Sequence, residues 1–114
     1  MEKDVHKMRL INSAYYCILN DLKDIELRLY DEKRQLLKIK DIIEFTNRET
    51  LEQRLVEVKN LYHYSSFDEL YKHFDKVSMG YKENEIADPK DMEEYYSKEE
   101  QEKYGVLGIE IKKL

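Results

Sequence analysis

The stretch from residue 23 to residue 34 constrains the fold most, because it alternates apolar and charged side chains. Read as an extended strand, it sends Ile25, Leu27 and Leu29 toward one face. The opposite face then receives acidic, basic and phenolic side chains, namely Asp24, Glu26, Arg28 and Tyr30. A row of such groups one pleat apart suits a polar ligand. The first hypothesis is therefore a β-strand with a functional polar face.

The same stretch also fits a helix. The apolar residues Ile18, Leu22, Ile25, Leu29, Leu36 and Ile39 follow a 4-3 spacing that is broken only at Glu32. No glycine or proline interrupts residues 1–79. On periodicity alone, residues 13–40 are equally well read as one long amphipathic helix or as half of a helical hairpin.

The C-terminal half favours the strand. Leu107, Ile109 and Ile111 predict a short core strand at the end of the chain. The backbone groups of such a strand need partner strands from earlier in the sequence. Three signals for the start of a helix precede this closing strand. They are a capping box at Ser66 and Glu69, Asp88 before Pro89, and a second capping box at Ser97 and Glu100. The helix that starts at Ser66 is expected to end near Asp75, and the one that starts at Ser97 to end at Gly105.

The N-terminal half supplies candidate partner strands. Residues 5–10 and 54–61 alternate apolar and polar side chains, and residues 42–45 predict a further strand. The segments 42–45 and 54–61 are predicted to form an antiparallel hairpin with a turn through Asn47. Between the first strand and residue 23, a short helix capped by Asn12 or Ser13 is predicted from the spacing of Tyr15, Ile18, Leu19 and Leu22.

Composition limits the function classes. The 114 residues form one domain, 1–114, and their formal net charge of −5 argues against a protein that coats nucleic acid non-specifically. Cys17 is the only cysteine, which excludes an internal disulfide and favours a reducing compartment. No signal peptide or membrane span is apparent. We expect a soluble cytoplasmic protein, taken as a monomer.

Metal and cofactor chemistry finds no support in the sequence. The three histidines His6, His63 and His73 have no ligand spacing, and one cysteine makes no zinc site. Calcium-loop, phosphate-binding glycine-loop and hydrolase-elbow patterns are missing. We therefore predict no metal and no cofactor.

Three blocks resemble the ASCH domain family, whose members belong with the PUA-like small β-barrels. Residues 19–28 are similar to the family's first motif, I-x-x-G-x-K-x-x-E-x-R, and residues 38–45 to its second, K-x-G-D-x-I-x-F. In the third block, Tyr95 and Tyr96 are followed by residues 102–111, which are similar to the motif of the family's closing strand, Y-G-V-x-A-I-x-I. Asp21 and Lys40 stand where the two glycines of that pattern are expected. If those glycines supply positive φ, aspartate tolerates the position better than lysine does.

The resemblance implies an α+β fold, a small mainly antiparallel PUA-like β-barrel with short flanking helices, that binds RNA or a nucleotide-like small molecule in a cleft. Lys23, Glu26 and Arg28 would line this cleft. The Arg28 fork suits a phosphate or a base edge, and Glu26 can accept a hydrogen bond from an exocyclic amine. The alternative without a ligand is a purely structural ion pair between Glu26 and Arg28.

Further ligand contacts are expected from residues that extend the positive edge or cover the cleft: Tyr30, Lys33, Arg34, Ser78 and Tyr81.

A catalytic alternative comes from relatives that act as amidohydrolases on acetylated cytidine nucleosides with a lysine, a threonine three residues on and a later glutamate. Here Lys23 matches, but Glu26 occupies the threonine position. Lys23 and Glu26 would carry acid–base chemistry of this kind, or ribonuclease chemistry, only if the chain is an enzyme. A protein-interaction module is the third class.

Overall fold

The computed structural model describes residues 4–114. Its five strands are β1 (Val5–Leu10), β2 (Ile25–Leu29), β3 (Ile42–Asn47), β4 (Gln53–Tyr64) and β5 (Val106–Lys113). The α-helices are α1 (Asn12–Leu19), α2 (Phe67–Leu70) and α3 (Lys98–Tyr104), and two 3-10 helices span Arg34–Leu36 and Pro89–Glu94. The long-helix interpretation of residues 13–40 is therefore wrong, because the chain leaves α1 at Leu19 and is extended from Ile25. In the described part of the chain no helix combines the length and apolar character that a bilayer crossing needs.

The strands form one curled, mixed sheet with the order β1-β3-β4-β5-β2. β1 runs parallel to β3, while the other three pairings are antiparallel, so the prediction of a mainly antiparallel sheet is confirmed. β1 and β2 lie at opposite ends of this order, yet the Arg28 side chain of β2 reaches the backbone oxygen of Arg9 in β1 at 2.8 Å. The sheet thus curls into a half-barrel whose seam is crossed by a side chain.

Two apolar clusters pack the opposite faces of the sheet. The first holds α1 residues such as Ile18 and the β5 residues Leu107, Ile109 and Ile111. The second holds the apolar face of β2 together with α2, the residues Ile25, Leu27, Leu29, Phe67 and Leu70 among them. The predicted inward face of β2 is therefore confirmed, as is the apolar face of the closing strand.

The predicted helix starts at Ser66, Asp88 and Ser97 are confirmed, whereas both ends match only for α3. α3 has the complete capping box of Ser97 and Glu100 and ends at Gly105, which has a φ of 73°. α2 begins at the predicted Ser66 cap but ends at Leu70, so the expectation that it runs to Asp75 is wrong. The chain continues there as turns, closed by hydrogen bonds from the Lys72 amide to the Glu69 carbonyl and from the His73 amide to the Leu70 carbonyl.

The start of α1 also differs from the prediction. Its N-cap is Ile11, which gives no side-chain cap, and Asn12 is already helical. The Asn12 carboxamide instead accepts a hydrogen bond from the buried Asn47 amide at 2.9 Å. Tertiary pairing with the β3 end has taken the side chain that would have capped the helix.

The two positions expected to carry glycine both have left-handed backbone. Asp21 has a φ of 61° and Lys40 a φ of 80°. Asp21 ends the turn after α1, and Lys40 lies in the turn before β3. A lysine is poorly suited to this region because its Cβ crowds the following carbonyl. Lys40 therefore stores backbone strain in an exposed turn.

We expect Lys40→Gly to raise the free energy of unfolding by about 1 kcal/mol, since glycine adopts positive φ without that steric cost. Denaturant unfolding monitored by circular dichroism measures it. Lys38→Gly, in the same turn and without a positive φ, is the matched control and should lower the free energy of unfolding. Equal effects of the two substitutions would contradict strain at Lys40.

Candidate functional site

A cleft of about 450 Å³ opens at the seam between β1 and β2. Its floor is the polar face of β2, its first wall is formed by the end of β1 with α1, and its second wall by residues 79–96 with Tyr71. The volume lies within the range of small-molecule sites in proteins, roughly 300–1,000 Å³.

Strand pairing explains why charged residues lie at the floor. In the β2–β5 ladder, Glu26 is opposite Ile109 and Arg28 is opposite Leu107. Both partners belong to the first apolar cluster, so the polar face of β2 points to the side of the sheet that α1 covers. The side chains of β2 at the seam are therefore both charged and largely buried.

Two of these residues, Glu26 and Arg28, form a compact triad with Lys23, which lies just before β2; we call it the floor triad. Glu26 lies in the middle, with Oε1 3.4 Å from Nζ of Lys23 and Oε2 2.8 Å from Nη2 of Arg28. Nε of Arg28 donates to the same Oε2 at 2.9 Å. Only 5% of Glu26 and 6% of Lys23 is exposed. The predicted structural ion pair of Glu26 and Arg28 is thus present, with Lys23 as a third member.

The ammonium of Lys23 has its hydrogen-bonding capacity filled by the protein. Nζ donates to the backbone oxygens of Ile25 and Met79, both at 2.8 Å, and faces Glu26 as its third acceptor. Burial lowers the pKa of Lys23, and the neighbouring Glu26 carboxylate opposes this. Two hydrogen bonds and one ion pair therefore fix the position of the Lys23 Nζ atom. Lys23 therefore joins β2 to the loop at Met79 and is not a free nucleophile.

Glu26 stays ionised despite its burial. Burial alone would raise the pKa of its carboxyl group, but the charges and hydrogen bonds of Arg28 and Lys23 outweigh it and leave the pKa below its usual value. A carboxylate has about four acceptor positions, and the contacts above use three of them. The fourth acceptor position, on Oε1, is not used by these contacts, and Glu26 itself is one of the residues that line the cleft.

Arg28 connects the floor triad to both walls. Its guanidinium bonds Glu26 and the Arg9 carbonyl, and Tyr96 lies close to it. Burial lowers the pKa of Arg28, but the Glu26 carboxylate outweighs this and leaves the pKa above its usual value. Arg28 is thus fixed in one orientation before any ligand arrives.

Tyrosines make up much of the second wall. The Tyr81 hydroxyl lies 2.9 Å from the Tyr71 hydroxyl and donates to Oδ2 of Asp91 at 2.8 Å. Burial raises the pKa of Tyr81, and both hydroxyl contacts raise it further. Tyr95 is 49% exposed, and Tyr96 is half-buried against Phe67. The wall is therefore held by hydrogen bonds while Tyr95 remains available to a ligand.

The structure brings half of the predicted ligand residues together. Lys23, Glu26, Arg28 and Tyr81 line the cleft. The others lie outside its lining. Tyr30 stacks on His63 with ring centroids 4.1 Å apart, Lys33 is exposed, Arg34 is half-buried, and the Ser78 carbonyl accepts hydrogen bonds from the amides of Asp24 and Ile25.

Sequence reasoning missed the whole first wall. Arg9, Ser13, Cys17 and Arg48 line the cleft, although no local pattern joins them. They meet because β1 pairs in parallel with β3 and the amide of Arg48 donates to the Leu10 carbonyl. The only signal available was the alternation that places Arg9 on the outer face of β1.

The same pairing assembles a cluster of possible metal ligands, which histidine spacing did not predict. Asp4, His6 and Asp41 each offer a ligand atom within 4.8 Å of the others. His6 Nε2 lies 2.9 Å from Oδ2 of Asp41, and the Lys38 amide donates to the same oxygen at 3.0 Å. Lys38 Nζ is also 3.8 Å from Asp4. These contacts explain the cluster structurally, because they connect the start of β1 to the turn before β3.

Fold and cleft together define the class of protein: a small α+β domain on a curled, mixed five-stranded half-barrel sheet, with a cleft at the open seam. A crystal structure of hypothetical protein PH0355 superposes with a TM-score of 0.82 at 32% identity, covering 96% of this chain and 99% of that one. A solution NMR structure of protein PF0455 from Pyrococcus furiosus gives 0.69 at 31% identity, covering 96% and 97%.

The chain therefore belongs to the same family as these two proteins. No family model matches the chain, and no curated protein matches it significantly. Neither of the two names states an activity, so the function is argued from the chain's own cleft.

The order of charges in the floor triad predicts unequal mutational costs. Glu26→Gln leaves two buried cations facing each other, and we expect it to lower the free energy of unfolding by about 3–5 kcal/mol. Arg28→Met leaves the Lys23–Glu26 pair intact and should cost less, about 1–2 kcal/mol. Urea unfolding at neutral pH measures both.

The exposed pair of Glu69 and Lys72, 3.0 Å apart, is the control, and Glu69→Gln should change stability by no more than about 0.5 kcal/mol. A cost for Arg28→Met as large as that for Glu26→Gln would mean that the central carboxylate is not what holds the two cations.

Asp41 predicts a loss of stability in acid. Burial alone would raise its pKa, but the hydrogen bonds from His6 and the Lys38 amide leave the pKa below its usual value. The stabilisation is therefore complete above the unfolded-state pKa of about 3.9 and is lost as the pH falls through the lower folded-state pKa. Compared with Asp41→Asn, the wild type should lose more of its melting temperature between about pH 5 and pH 2. Parallel pH profiles for both proteins would rule this out, and the exposed Asp24→Asn serves as the control.

Proposed function

We propose that the chain is an ASCH-type, PUA-like domain that binds RNA or a nucleotide-like ligand in the seam cleft, in the cytoplasm. The observation that carries the proposal is the floor triad, since its charged groups are largely buried, held in position by hydrogen bonds and ion pairs, and lie along the lining of the cleft. Sites of this kind combine an apolar or aromatic lining with a few fixed polar groups.

The family assignment within this proposal is supported by where the three similar blocks fall. The first runs from the end of α1 through β2, the second covers the turn into β3, and the third ends in β5. Asp21 and Lys40, at the two glycine positions of the pattern, both have positive φ. The two turns thus have the left-handed backbone that glycine adopts without strain, although the side chains differ.

Ligand contacts are assigned to the groups that the protein leaves open. Arg9 and Arg48 are exposed at the first wall and suit phosphate oxygens through their planar forks. Tyr95 offers a partly exposed ring on which a base can stack. Glu26 retains one acceptor position for an exocyclic amine.

Binding without chemistry fits the floor triad better than the hydrolase alternative. The Lys23 ammonium is committed to three acceptors, and Glu26 has a pKa below its usual value. Efficient acid–base catalysis at neutral pH favours a group with a pKa near 7. Glu26 is therefore assigned to holding the cations and to accepting a ligand hydrogen bond.

Binding of short single-stranded RNAs and of free nucleotides, followed by isothermal titration calorimetry, tests the proposal. Arg48→Ala and Tyr95→Ala should each weaken binding about 10-fold, through loss of a phosphate contact and of a stacking surface. Lys33→Ala removes an exposed cation outside the cleft and should leave the affinity unchanged. No binding by the wild type, or equal losses in all three variants, would falsify the assignment of the cleft.

A further inference from the structure

We infer that the preferred ligand is a single nucleotide with an amino-bearing base, a nucleoside monophosphate of the adenosine or cytidine type, and not an extended RNA strand. The inference rests on the proposed function and follows from how charge is distributed over the cleft.

The charges that line the cleft balance. The positive residues are Arg9, Lys23, Arg28 and Arg48, and the negative residues are Glu26, Glu85, Asp91 and Glu94. A protein that tracks an RNA backbone needs a positively charged groove, because each neutralised phosphate contributes to the affinity. A balanced lining has no such surplus, and the net charge of the whole chain is −5.

The balanced charges are separated in space. Arg9 and Arg48 lie together on the first wall, since the amide of Arg48 bonds the Leu10 carbonyl beside Arg9 at 2.9 Å. Glu85, Asp91 and Glu94 belong to the opposite wall, where Tyr81 holds Asp91 in place. The cleft thus has a positive side and a negative side, with the floor triad between them.

The outer charges are available, whereas the two cations of the floor are not. Within residues 4–114, neither Arg9 nor Arg48 makes a side-chain hydrogen bond or ion pair with the protein, and both are exposed. Glu94 is likewise exposed and has no such bond within this range. Lys23 and Arg28 are already bonded to Glu26 and to backbone oxygens. A ligand anion is therefore directed to the first wall and not to the floor.

A mononucleotide with an amino group matches this arrangement. Its phosphate meets Arg9 and Arg48, its base meets Tyr95, and its exocyclic amine donates toward Glu26 or the acidic wall. A longer strand would carry its next phosphate out of the cleft past Glu85 and Glu94, where like charges repel. The cleft therefore discriminates by size as well as by the amine.

Calorimetric titration with AMP, CMP, UMP, adenosine and a short oligoadenylate tests the inference at fixed salt. AMP and CMP should bind about 10-fold tighter than UMP, which lacks the exocyclic amine, and AMP about 10-fold tighter than adenosine, which lacks the phosphate. The oligoadenylate should bind no tighter than AMP. In Arg48→Ala, the affinity for AMP should fall to that for adenosine.

Glu94→Lys separates the two levels of the proposal, because it replaces a repelling charge without touching the floor triad. It should strengthen binding of the oligoadenylate more than binding of AMP, and Glu99→Lys, on α3 outside the cleft lining, is the matched control. Tighter binding of the oligoadenylate than of AMP by the wild type overturns the mononucleotide inference and leaves the proposed function standing. Equal binding of UMP and AMP overturns the role of the amine, and no binding by any probe overturns both levels.

Discussion

The structure depends on a carboxylate held between two cations at the open seam of a curled sheet. Burying Lys23, Glu26 and Arg28 separately would cost several kcal/mol for each charge, and their mutual attraction offsets this only because the geometry is close and the remaining donors are used. The backbone carbonyl oxygens of Ile25, Met79 and Arg9 accept hydrogen bonds from the remaining donors of Lys23 and Arg28. The floor triad is thus at once an ion-pair network and the set of contacts that hold β1, β2 and the loop at Met79 together.

This dual role explains why the cleft lies where it does. A half-barrel leaves two edge strands unpaired with each other, and an unpaired edge exposes backbone donors and acceptors. Here the gap between β1 and β2 is crossed by Arg28 in place of a backbone ladder, which leaves room beside the side chain. The same opening that lacks a strand forms the seam cleft, lined by arginines on one side and by acids and tyrosines on the other.

Local signals predicted the elements that are held by local interactions. The alternation in residues 25–29, the hairpin of β3 and β4 and the capping box of α3 were all predicted correctly, because their periodicity or hydrogen bonds involve near neighbours. The failures lie at helix ends. α1 lacks the predicted Asn12 cap because that side chain is hydrogen-bonded to Asn47, and the chain beyond Leu70 forms turns in place of the predicted continuation of α2.

The sequence by itself determined that residues 25–29 carry charge on one face and aliphatic side chains on the other. It did so because side-chain alternation is a property of consecutive residues. The resemblance to the ASCH pattern, and not the residues at 21 and 40, pointed to turns that suit glycine there. Only the tertiary structure decided that the charged face is buried, that Arg9 and Arg48 join it across the seam, and that Tyr30, Lys33 and Arg34 stay outside. Parallel pairing of β1 with β3 and the curl of the sheet bring together residues about 40 positions apart, and no spacing rule within the chain encodes that meeting.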